Sequence, residues 1–83
     1  MVETRIAPRH RANKPATVEY GGLEQPCVVR DISITGAALE FSNLVRALRL
    51  PERFYLIVPE DGLRLRCRIV WQREFRMGVT FDD

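Results

Sequence analysis

The chain has little with which to hold a metal or build a catalytic relay. Its 83 residues include one histidine, His10, and two cysteines, Cys27 and Cys67, with no paired metal-type spacing. A Cys/His metal cluster is therefore not expected, and the cysteines read as small core hydrophobes in strands. A nucleophile–base pair would have to use His10, for which the sequence offers no evident partner. A P-loop and a dinucleotide-binding glycine fingerprint are both absent. Acidic residues fall mainly in turns and at the C-terminus, and no carboxylate pair stands out. These absences argue against a stand-alone enzyme and against a bound cofactor. Long apolar runs are missing too, since none approaches the ~20 residues of a membrane-spanning helix. Met1-Val2-Glu3-Thr4-Arg5 holds no signal-type apolar stretch, so the expected compartment is the cytoplasm and no membrane insertion is expected.

What is present fits one ordinary globular domain. Apolar residues make up 46% of the chain and charged residues 29%, with no repeat and no low-complexity stretch. The net charge is only +2, but it is unevenly placed. Residues 1–15 carry four basic side chains (Arg5, Arg9, Arg11, Lys14) against Glu3, and the remainder carries nine basic against ten acidic. Pro8 and Pro15 interrupt the same segment. Residues 1–14 are therefore expected to form a flexible basic arm able to meet an anion, ahead of a folded domain over residues 15–83.

Two-residue alternation is the dominant periodicity. Ala16, Val18 and Tyr20 alternate with Thr17 and Glu19, and Gly21-Gly22 predicts a turn. Cys27–Ile32 reads as a second strand, and Ala37, Leu39 and Phe41 mark a third. Phe54–Val58 is a compact apolar run before Pro59. Leu63, Leu65, Cys67, Ile69 and Trp71 alternate with Arg64, Arg66, Arg68 and Val70, which puts the first set on one face. Phe75, Met77, Val79 and Phe81 alternate with Arg76, Gly78 and Thr80, after a short link at Gln72-Arg73-Glu74. Ser42–Leu50 allows one helical turn, with Ser42 as a cap and Pro51 as its stop. The fold class expected is all-β: a small six-stranded antiparallel barrel with little or no helix.

Two patterns carry possible binding chemistry. Asp31-Ile32-Ser33-Ile34-Thr35-Gly36 lies between two strands. Its Asp can accept from ring N–H and amino groups, and its Ser can donate and accept. Its Gly permits positive φ and lets backbone approach a ligand closely. The same residues also suit an ordinary Asx or Ser turn. Arg5-Ile6-Ala7-Pro8-Arg9 offers two guanidinium forks that could grip phosphate or a guanine edge or stack on a purine. The spacing alone is weak, because Arg49/Arg53 and Arg64/Arg68 repeat it.

The combination resembles the PilZ domain family. Arg-x-x-x-Arg at Arg5 and Arg9, then Asp-x-Ser-x-x-Gly from Asp31, match its motifs. Ile69-Val70-Trp71 and Met77-Gly78-Val79-Thr80-Phe81 are similar to its closing strands, so the likeness runs from Arg5 to Phe81. The resemblance implies a six-stranded barrel that binds cyclic di-GMP and acts on an unidentified downstream protein. Carried over by position, Arg5 and Arg9 would hold guanine and phosphate, Asp31 and Ser33 would contact guanine, and Gly36 would shape the turn. Trp71 stands where some relatives place a ring against the ligand. It also reads as a core tryptophan closing the barrel. Thr4 departs from the pattern, because many relatives have a further arginine there that helps hold a second, stacked messenger. Two other classes remain open. A nucleic-acid-binding barrel would need aromatics interleaved with basic residues, whereas Phe75 and Phe81 fall on the expected inward face. A ligand-independent interaction module would be expected to have lost the motif residues, and these are present.

Overall fold

The computed structural model describes residues 10–82 of the chain. Among them are strands β1 (His10–Tyr20), β2 (Leu23–Ile32), β3 (Gly36–Glu40), β4 (Arg53–Val58), β5 (Leu63–Arg73) and β6 (Arg76–Phe81), with one short helix, α1 (Val45–Leu48). The strands close into an antiparallel barrel in the order β1-β2-β3-β6-β5-β4, as the alternation predicts. Closure leaves every strand with two neighbours and so removes the sheet edges at which chains aggregate.

The inward sets fill the barrel. Val18, Leu39, Leu56, Cys67 and Met77 have no exposed surface at all, and Val29, Val45 and Val58 nearly none. Each such side chain contributes roughly 1.5–3 kcal/mol by leaving water. Cys27 and Cys67 lie among them as free, buried thiols. Burial pushes Cys27 from its ordinary 9.0 to about 12, helped by the nearby Cys67. Cys67 also rises to about 12 by burial, against a backbone hydrogen bond at Leu56 that lowers it.

The connections follow their turn chemistry. Gly21 and Gly22 both have positive φ, +51 and +80, the pair that a tight hairpin between right-twisted strands requires. Gly62 ends a single 3-10 turn, Pro59–Asp61. Lys14 reaches across to that turn and grips Asp61 at 2.7 and 2.9 Å, and this hydrogen bond raises the Lys14 pKa. Helix α1 is the helical turn expected in Ser42–Leu50. Leu44, rather than Ser42, stands at its N-cap, and no side chain caps it.

Three expectations need correction. β1 begins at His10, so residues 10–14 belong to the barrel and not to an arm preceding it. Pairing with β2 supplies the backbone partners that hold them. Phe75 does not face inward: it is 44% exposed in the two-residue turn between β5 and β6. Phe81 packs against the core, half-buried. Trp71 is not a core residue. It is 42% exposed, because β5 bulges between Ile69 and Trp71. One extra residue in a strand reverses the alternation beyond it, so Trp71 leaves the face that Leu65, Cys67 and Ile69 occupy.

Candidate functional site

Three irregularities of the barrel fall around one corner. β1 shifts register between Arg11 and Lys14 with Asn13 at φ 49. β2 shifts between Val29 and Asp31, and β5 between Ile69 and Trp71. Bulges re-aim side chains and concentrate beside functional sites. The shift at Arg30 has that effect here. Cys27 and Val29 point into the core, but Ile32 takes the next inward place, which leaves Asp31 on the outer face.

The register then lines up one cross-strand row. Arg11 stands opposite Asp31, Asp31 opposite Ala38, Ala38 opposite Gly78, and Gly78 opposite Trp71. Directly paired residues share a face. The row therefore runs from a cation and a carboxylate, over a floor of alanine and glycine, to an indole. At about 4.8 Å per strand, Asp31 and Trp71 are roughly 14 Å apart. The Trp71 indole lies across Gly78, at the place a β-carbon would fill. A shallow cavity of about 140 Å³ beside it is lined by Thr35, Gly36, Val70, Trp71, Gly78 and Thr80 among others. That volume is below the roughly 300 Å³ at which small-molecule sites usually begin.

The Asp31–Gly36 turn is tied down from within and from β6. Ser33 N–H donates to the Gly36 carbonyl at 2.8 Å. The Ser33 hydroxyl oxygen accepts from Thr35 N–H at 3.2 Å and Gly36 N–H at 3.3 Å, and it lies 3.1 Å from the Thr35 hydroxyl. The Thr35 carbonyl accepts from Phe81 N–H at 2.8 Å and from the Thr80 hydroxyl at 3.1 Å. Ser33 is thus a turn-forming residue, as the Ser-turn reading of the motif expects. Gly36 departs from expectation in one respect. Its φ is not positive. What requires glycine is close approach, because a β-carbon there would run into the Val79 carbonyl oxygen and lie 3.3 Å from Thr80 Cα.

Of the six residues expected at the site, Asp31, Ser33, Gly36 and Trp71 gather at this corner. Arg5 and Arg9 lie outside the described residues. Sequence reasoning passed over Ala38 and Gly78, whose smallness makes the floor. Arg11, counted there only as part of the basic segment, shares the face of Asp31. Only register could have found these three. Among the described residues, no group of three or more His, Cys, Asp or Glu is arranged to hold a metal, and no helix is long and apolar enough to cross a membrane.

No curated protein matches the chain significantly. A family model, the PilZ domain, matches residues 3–83, nearly the whole chain, and agrees with the closed six-stranded barrel. The chain therefore belongs to the PilZ domain family, whose members are generally cyclic di-GMP-binding modules rather than enzymes.

Proposed function

We propose that this chain is a cyclic di-GMP receptor that holds the messenger at the bulged corner and signals to a partner protein through its N-terminal segment. The observation that carries this reading is the Asp31–Trp71 row. An outward carboxylate and an outward indole stand in one cross-strand row, beside the shallow cavity at Gly36 and Gly78. The Asp31 carboxylate suits the N–H and amino donors of a guanine edge. The Trp71 ring offers a stacking face, a contact worth about 1–3 kcal/mol per base.

Two phosphate charges on the ligand call for cations. Arg5 and Arg9 are assigned to them, each with a fork matched to phosphate. β1 starts at His10, opposite Ile32, so the segment bearing these arginines joins the barrel beside the Asp31 turn. Messenger bound between segment and barrel would order residues 3–9 and remodel that surface for a partner. Backbone relaxation that found residues 3–9 equally rigid with and without messenger would refute the switch while leaving binding untouched.

The binding test is a calorimetric titration of the chain with cyclic di-GMP beside Arg9→Ala and Asp31→Ala. The expected result is saturable binding that each substitution weakens by about 1–3 kcal/mol. The isotherm also gives the stoichiometry on which Thr4 bears. Absence of heat on folded protein at high ligand concentration would overturn the receptor reading.

A further inference from the structure

A second concave surface lies at the other end of β1. His10 marks the end of that strand beside the Asp31 turn and Tyr20 marks the other, roughly 33 Å away at ~3.3 Å per residue. There a groove of about 590 Å³ opens between the end of β1, the segment after α1, and strands β4 and β5. Its size is that of sites that take a small organic group. Tyr20, Pro51 and Phe54 supply an apolar wall, and Arg49, Arg53 and Arg66 supply cations.

The cations are not equivalent. Arg53 pairs with Asp82 at 3.3 Å, Arg68 with Asp82 at 3.9 Å, and Arg64 with Glu19 at 3.1 Å. Among the described residues, no carboxylate lies within ion-pair distance of Arg49 or Arg66. Tyr55 lines the same groove and is already engaged. Arg64 stacks 3.9 Å from its ring centroid. Hydrogen bonding from Arg66, and then the charge of Arg66, hold its phenol below the ordinary range.

We propose that this groove captures an acidic segment of a partner protein, with Arg49 and Arg66 gripping carboxylates and the Tyr20–Pro51 wall receiving an apolar side chain between them. Two guanidinium forks without a carboxylate partner among the described residues, beside an apolar wall, fit that chemistry. A nucleic-acid strand fits it less well, because it needs a continuous cationic track. Here Glu19 and Asp82 neutralise the neighbouring arginines and break the track. The inference does not rest on messenger binding, which uses a different corner.

The test is selection of a displayed random-peptide library on the intact chain. Selected peptides are expected to carry Asp or Glu beside an aromatic or branched aliphatic residue. The best of them, labelled for fluorescence anisotropy, should bind about tenfold more weakly to Arg49→Ala and to Arg66→Ala. Arg66→Glu should abolish binding, and added salt should weaken it. Both arginines are exposed, so melting temperatures should not move, and the variants should keep the parent chain's response to cyclic di-GMP. No acidic enrichment would overturn the proposal. So would unchanged affinity in folded variants, displacement of the peptide by single-stranded oligouridylate at lower concentration, or loss of messenger binding in the same variants.

Discussion

Gly36 and Gly78 sit on neighbouring strands, both against atoms that a methyl group would displace. At Gly78 those atoms belong to the Trp71 indole, a side chain that can swing outward. At Gly36 they belong to the β6 backbone, which cannot move without breaking the ladder that joins Gly36 to Thr80. Gly36→Ala is therefore expected to cost about 3 kcal/mol in urea denaturation and Gly78→Ala about 1 kcal/mol. Gly78→Ala should also shift tryptophan emission to longer wavelength, because Trp71, the chain's one tryptophan, would move further into water. Equal costs, or an unshifted emission, would contradict the geometry described for this corner. The Asp-x-Ser-x-x-Gly motif was visible as residues, but its division of labour was not. Ser33 braces the turn, and glycine is there to let two strands meet.

The elements are held by turn chemistry and by irregularities, and these differ in how openly they show. Gly21 and Gly22 announce a hairpin, and both adopt positive φ with open space around the missing β-carbon. Any cost of substitution there is conformational and not steric. Gly22→Ala should destabilise by about 1 kcal/mol, read as a fall in the urea midpoint at constant m-value. A change below a few tenths would mean the turn tolerates another type. The bulges at Arg30 and Val70 gave no comparable sign. Strict alternation through Ile69 assigned Trp71 to the core, and one extra residue turned it out. An inserted residue has no propensity of its own. It is selected by the closure of the barrel, so reading one strand at a time could not reveal it.

At the scale of the whole molecule, the barrel's stability is linked to its buried thiols. Both are raised from 9.0 to about 12 when folded, whereas the unfolded chain titrates near the ordinary value. A raised folded pKa means the stabilisation is complete below the unfolded value and is lost as pH climbs through the folded one. Stability should therefore hold up to about pH 9 and fall between there and pH 12, by up to about 1.4 kcal/mol per pH unit for each thiol. Chemical denaturation across that range measures the slope, and a Cys27→Ala/Cys67→Ala double variant should flatten it. At neutral pH both thiols should resist a disulfide reagent until denaturant is added. Rapid labelling of native protein would contradict their burial.

What the amino-acid order determined by itself was everything that depends on local pattern. Two-residue alternation specified the strands, and a glycine pair specified the first hairpin. Short turns and the lack of strong helix specified a small closed barrel. The Asp31–Gly36 motif was legible for the same reason, as a run of turn residues between two strands. Tertiary structure alone decided register: that Arg11, Asp31, Ala38, Gly78 and Trp71 share one row across five strands, and that Arg49, Tyr55 and Arg66 line one groove. Both depend on how far each strand slides past its neighbour when the sheet closes. That offset is set by packing around the whole barrel, and no single segment encodes it.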